Sequence, residues 1–233
     1  MSGGEQRRTR RRGISPWWHL LTALVVLALV QSFLVKLYQV PSGSMEQTLQ
    51  VGDRILVNRL AYLGSEPARG DVVVFAGDQA WGLAAHSQPF SIVTAVKWVG
   101  GLFGIGPGTD YTLVKRVIGQ PGDTVACCDA QGRVQVNGKP LAEPYVYQNS
   151  AFQPGVLDCS TKPASTRCFG SILVPQGEYL VLGDHRSDSD DSVAACRGST
   201  DAPPGCARFV PGKQVVGRAF FVALPPGRFG SVG

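Results

Sequence analysis

Two side chains in this sequence could together perform nucleophilic chemistry. Ser44 lies in Tyr38-Gln39-Val40-Pro41-Ser42-Gly43-Ser44-Met45, a Pro/Gly turn a few residues after a long apolar run. A serine hydroxyl is a weak nucleophile until a neighbouring base takes its proton. Lys115 is a candidate base because it interrupts the apolar strand-like run Leu113-Val114-Lys115-Arg116-Val117-Ile118. Strand alternation puts Lys115 on the face of Leu113 and Val117, and Arg116 on the opposite face. If the lysine face is buried, desolvation disfavours the ammonium. A base working near neutrality needs a pKa about two to three below normal, roughly 3–4 kcal/mol, which burial can supply. If the strand lies at an edge, the amine simply reaches water.

Two other groupings compete for a chemical role. Asp184-His185-Arg186 invites a serine triad, but the orienting acid of a triad reaches the imidazole from across the fold, so Asp184 is poorly placed and His185 reads as a loop residue. The stretch from Asp184 to Asp191 holds four carboxylates. It lacks the Asp-x-Asp-x-Asp-Gly order of a calcium loop, and solvated turn residues are the simpler reading. No Cys/His spacing suggests zinc.

The elements that must position these groups begin with residues Trp17 to Tyr38. As a helix these ~22 residues would span about 33 Å, matching a hydrocarbon core of ~30 Å. Trp17, Trp18 and Tyr38 stand at the ends, where aromatic residues anchor a helix in a bilayer. Arg7, Arg8, Arg10, Arg11 and Arg12 precede it and account for the net charge of +5. A basic cluster in that place is a topology signal rather than a nucleic-acid surface. The expected organisation is a cytoplasmic tail over 1–14, a transmembrane segment over 15–38 and an extracytoplasmic domain over 39–233. A cleaved secretory signal is the alternative, but the apolar run exceeds its usual 7–15 residues.

Beyond the apolar run, 29 glycines, 16 prolines and only 17% charged residues describe a turn-rich chain. Short β-branched runs recur at Arg54–Asn58, Asp71–Phe75, Leu113–Gly119, Arg133–Val136, Glu178–Gly183 and Gln214–Val222. Val136 leads into Asn137-Gly138, a tight hairpin signal. Residues 81–106 carry many apolar side chains and one charge, Lys97; they read either as an element covering the core or as a loop dipping into the outer leaflet. Residues 225–233 read as a loose tail. Six cysteines fit an oxidising compartment. Cys159 with Cys168, and Cys196 with Cys206, are plausible local staples; a bridge between the neighbours Cys127 and Cys128 would be strained, and fifteen pairings remain open.

Pro41-Ser42-Gly43-Ser44-Met45 with Thr48-Leu49 and Gly52-Asp53 resembles the nucleophile box of bacterial type I signal peptidases. Arg69-Gly70-Asp71-Val72-Val73-Val74-Phe75, Val114-Lys115-Arg116-Val117-Ile118-Gly119-Gln120-Pro121-Gly122-Asp123 and Gly183-Asp184-His185-Arg186-Ser187-Asp188-Ser189-Asp190-Asp191-Ser192 resemble the boxes that follow, in the same order. The resemblance implies Ser44 as nucleophile and Lys115 as general base. It also implies an oxyanion hole from the Ser42 hydroxyl and the Ser44 N–H, Ser189 orienting the amine, and Asp191 supporting the loop. Arg116 and Asp184 become a plausible ion pair. His185 stands where the family has Asn, and Val193 where it has the Arg that partners the aspartate; Arg197 could take that part.

The fold expected is mostly β: two antiparallel sheets, partly barrel-like, with a small β subdomain over about 124–182, preceded by the transmembrane helix. The implied activity removes N-terminal signal peptides from exported preproteins at the outer membrane face, cutting after small-x-small. No metal or organic cofactor and no nucleic acid is implied; the partners are the preprotein and membrane lipid, and the chain is expected to be monomeric. The alternatives are a self-cleaving repressor-type Ser/Lys peptidase and a non-enzymatic membrane-anchored β module.

Overall fold

The apolar run changes its secondary structure partway along. The computed structural model describes residues 16–82, 112–201 and 203–232. Helix α1 covers Pro16–Phe33, 18 residues, or about 27 Å. Strand β1, Val35–Gln39, then pairs antiparallel with β2, Arg54–Asn58, from Val35↔Asn58 to Gln39↔Arg54. The helix expected over 15–38 is therefore shorter. The backbone groups of residues 35–39 find partners on β2, and Tyr38 is buried in the core. Among the described residues, no helix is long and apolar enough to cross a membrane.

The remaining strands are β3 (Val72–Ala76), β4 (Thr112–Gly119), β5 (Thr124–Cys127), β6 (Val134–Val136), β7 (Lys139–Pro140), β8 (Phe169–Leu173), β9 (Glu178–Leu182), β10 (Val210–Pro211), β11 (Val215–Leu224) and β12 (Gly230–Ser231). The larger sheet runs β1-β2-β11-β3-β4-β9-β10, with β12 on β11; the smaller runs β7-β6-β5-β8. Named neighbours in both sheets pair antiparallel. The predicted hairpin forms between β6 and β7, with Asn137 at φ 52° and Gly138 at φ 74°.

Three expectations change. Among the described residues the larger sheet stays open, with β1 and the two-residue β10 as separate edges, so no barrel closes there. The smaller sheet ends at Leu173; β9 pairs with β4 instead, burying Tyr179 and Val181 beside Val73 and Phe75 while Leu180 and Leu182 pack back against Val125 and Phe169 of the smaller sheet. The chain end is not loose. Gly230–Ser231 pairs with β11, Val232 is buried, and the Arg228 guanidinium bonds both carboxylate oxygens of Asp53.

The position of β4 governs the rest. It lies between β3 and β9 with apolar clusters on both faces: Val114 packs with Ile55, Val57 and Val72, while Val117 packs with Val73, Phe75 and Tyr179. Lys115 and Arg116 are thus interior residues, 3% exposed each. The segment expected over 81–106 falls outside the described residues apart from Trp81 and Gly82; Trp81 is buried edge-on against Phe75. Disulfides join Cys159–Cys168, Cys196–Cys206 and the neighbours Cys127–Cys128.

Candidate active site

Ser44 is held on a single 3-10 turn, Gly43–Met45. Met45 and Leu49 fill the core below it, and the Leu49 N–H bonds the Met45 carbonyl at 2.7 Å. Ser44 is 8% exposed. Ser42 precedes the turn in an extended conformation (φ −142°, ψ 162°), is exposed, and makes no capping bond with its side chain. Its hydroxyl is not committed to the turn.

Lys115 projects from β4, and its Nζ donates to Ser189 Oγ at 3.2 Å. Its pKa falls from the ordinary 10.5 to about 8, chiefly because burial penalises the ammonium; Arg208 adds to the fall, while Asp191, Asp190 and Asp184 oppose it. Ser189 belongs to the loop after β9, which Ser192 fastens by two bonds to Val181.

The serine turn and this loop meet at Gly183. A Cβ there would stand 2.3 Å from Ser189 Oγ and 2.4 Å from the Ser44 carbonyl oxygen, so only glycine fits. The Ser44 carbonyl also accepts from the His185 N–H at 3.1 Å. The contact that position 185 makes with the nucleophile turn is main-chain, which explains how His can stand where the resemblance leads one to expect Asn. The His185 imidazole lies instead beside Glu46, 3.2 Å from Nδ1 to Oε2, and edge-on to Tyr147. His185 is a supporting loop residue in this geometry.

Arginines occupy three of the four loop carboxylates. Arg116 binds Asp184 in bidentate fashion, Nε–Oδ1 2.9 Å and Nη2–Oδ2 2.6 Å, with both side chains buried. The Thr48 hydroxyl donates to Asp184 Oδ2 at 2.6 Å, and the Arg116 guanidinium stacks 3.9 Å over Tyr145. Arg197 Nη2 meets the fully buried Asp191 at 3.0 Å. Asp191 also accepts from the Gly183 and Val193 N–H groups. Val193 itself packs in the apolar cluster around Ile118 and Leu182. Arg208 pairs with Asp190 and donates to the Asp191 carbonyl at 2.9 Å. The loop is an arginine-clamped scaffold, with Asp184 and Asp191 buried and Asp188 and Asp190 exposed.

Ser44, Lys115, Ser189 and Asp191 therefore gather at one corner, linked through Gly183, where the serine turn packs against β4 and against the 3-10 turn Arg186–Asp188; Ser42 stands at the exposed start of the serine turn. Sequence reading did not assign Thr48, Arg208 or the Arg186–Glu143 pair a part in it. Thr48 stands inside the nucleophile box, where the resemblance gives it no role. Arg208 and Glu143 reach the loop from distant segments, and local spacing carries no trace of that.

The serine turn thus packs against the strand that carries the buried lysine, in a fold of two antiparallel sheets. The family model for signal peptidase, peptidase S26, matches residues 14–224, and the chain belongs to that family. It is 39% identical over 241 residues to a signal peptidase I of Mycobacterium tuberculosis, covering 98% of this chain and 78% of that one. Signal peptidase I of Haemophilus influenzae is 32% identical, covering 87% and 67%, and that of Bacillus licheniformis 31%, covering 81% and 82%. A solved signal peptidase I from Enterococcus faecalis V583 aligns with a TM-score of 0.33 at 22% identity, over 66% of this chain and 97% of that one.

Proposed function

We propose that this signal peptidase family enzyme cuts N-terminal signal peptides from exported preproteins with Ser44 as nucleophile and Lys115 as base. The observation that carries the reading is Lys115: a buried amine with a lowered pKa, bonded to Ser189, at the corner that also holds the Ser44 turn. The neutral amine takes the Ser44 proton as the oxygen attacks the scissile carbonyl. The Ser42 hydroxyl and the Ser44 N–H receive the developing oxyanion, each donor worth about 3 kcal/mol in comparable sites. The protonated Lys115 then gives that proton to the leaving amine, and in deacylation its neutral amine activates water. Ser189 keeps the amine pointed at its work, and Asp191 keeps Ser189 in place through the Gly183 backbone.

The substrate side of the reading is cleavage after small-x-small at the outer membrane face. The arginine-rich start followed by α1 supports a cytoplasmic N-terminus with the sheets outside, and three disulfides fit that compartment. A tether and a bilayer-borne substrate share two dimensions, which raises their effective concentration. The repressor-type alternative, a soluble regulator, fits neither the helix nor the disulfides.

The test is cleavage of a preprotein by purified protein in detergent. Ser44→Ala and Lys115→Ala each abolish cleavage at the small-x-small site, a loss of about 10³-fold or more, while a chelator leaves it unchanged. Retained cleavage in Lys115→Ala would remove the dyad mechanism.

A further inference from the structure

Away from the serine corner, two of the disulfides lie against each other. In the smaller sheet Cys127, the last residue of β5, pairs across to Phe169, the first residue of β8. Antiparallel pairing runs one chain forward as the other runs back, so this register brings Cys128 beside Cys168. Cys159, bonded to Cys168, lies with its Sγ 3.7 Å from the Cys127 carbonyl oxygen. As a result the sulfurs of Cys128, Cys159 and Cys168 all lie within 4.8 Å of one another. Three thiolates at that spacing would suit a soft metal, but each sulfur is already spent in an S–S bond. The exposure is graded: Cys128 and Cys159 are half-buried, while their partners Cys127 and Cys168 are buried.

We propose that these four cysteines form a thiol–disulfide exchange site in which Cys128 hands reducing equivalents from an external dithiol to the buried Cys159–Cys168 bond. A thiolate of the dithiol attacks the half-buried Cys128 Sγ, the Cys127–Cys128 bond breaks, and the buried Cys127 leaves as thiolate. The second thiol of the dithiol then displaces Cys128 as thiolate. The dithiol is thereby oxidised to a disulfide, and the cysteine pair gains two electrons. The Cys128 thiolate next attacks Cys159 Sγ; the Cys128–Cys159 bond forms, the Cys159–Cys168 bond breaks, and Cys168 leaves as thiolate and takes a proton. Finally the Cys127 thiolate attacks Cys128, restoring the neighbour bond and releasing Cys159. The two electrons end on Cys159 and Cys168. A reductant that reaches the half-buried Cys128 thus gains a second route to the Cys159–Cys168 bond, beside direct attack at Cys159. The exchange is independent of the serine chemistry.

The central step can be isolated without a reductant. In full-length Cys127→Ser, Cys128 keeps its thiol beside the Cys159–Cys168 bond. Incubation between pH 6 and 8.5, acid quenching, alkylation and non-reducing peptide mapping then show where the bridge resides. The expected result is a Cys128–Cys159 peptide with Cys168 alkylated, its rate of appearance rising more than tenfold across that range with the thiolate fraction. A Cys128–Cys168 peptide supports the exchange with attack on the other sulfur. An intact Cys159–Cys168 bridge with Cys128 alkylated at every pH overturns it. If that variant does not fold, the natural chain decides. One equivalent of dithiothreitol should expose Cys159 and Cys168 to alkylation at least fivefold faster than in Cys127→Ser/Cys128→Ser, and equal rates overturn the proposal.

Discussion

Lys115 gains its chemistry from what surrounds it rather than from its own side chain. Burial pulls its pKa from 10.5 to about 8, a difference of about 3 kcal/mol in favour of the neutral amine. The sign fixes the pH behaviour. Below about 8 most molecules carry the ammonium and cannot accept the serine proton; above it the amine is free to do so. Single-turnover acylation by the proposed dyad should rise about tenfold per pH unit below 8 and level off above it, as read by trapping the acyl-enzyme. A flat profile from pH 6 to 9 would contradict a lysine base. This residue was legible in the sequence, because a charge inside a β-branched run is conspicuous and alternation gave its face. Gly183 was not so marked. Its need to lack a Cβ arises only where the Ser44 carbonyl and the Ser189 hydroxyl close on it from two distant segments.

Among the elements, the loop after β9 shows how a missing partner is replaced. Val193 occupies an apolar site, and Arg197 reaches back six residues to Asp191. Arg197 sits just inside the Cys196–Cys206 disulfide, and Arg208 just beyond it, so the bridged segment delivers one guanidinium to each of two neighbouring aspartates. Breaking a buried pair from one side leaves an uncompensated charge. Arg197→Leu should cost about 3 kcal/mol of stability in a denaturant titration, and it should lower the cleavage rate through the loosened Ser189. A change below about 0.5 kcal/mol would mean that Asp191 finds another partner. Arg197 could be nominated from sequence because it is close by. Arg208, stacked over Trp81 and bonded to Asp190, could not, since Trp81 lies more than a hundred positions earlier.

At the scale of the whole molecule, the point where the helix gives way to the sheet matters most. Sequence reading ran one helix through residue 38, because apolar periodicity cannot reveal that β2 waits to pair with residues 35–39. The two-sheet architecture was legible from the strand runs, while the assignment of β9 to one sheet or the other depended on long-range pairing. The break predicts two different truncations. A chain beginning at residue 34 keeps β1 and should unfold within a few degrees of the full protein, hydrolysing a short soluble peptide at a comparable rate. A chain beginning at residue 41 uncovers β2 and removes Tyr38 and Val40 from the core. With each such side chain worth about 2 kcal/mol, its Tm should fall by about 10 °C or more. Equal thermal unfolding of the two would show that β1 is not part of the folding unit.

The strap at the carboxy end carries a practical corollary. Arg228 grips Asp53, whose carboxylate in turn holds the Gln50 main chain six residues past the serine, and its guanidinium also reaches the Thr48 carbonyl. A purification handle or fluorophore fused behind Ser231 would tug on that grip and change turnover for reasons unrelated to substrate. The exposed hairpin tip at Gly138, on the other sheet, offers a quieter place for a label.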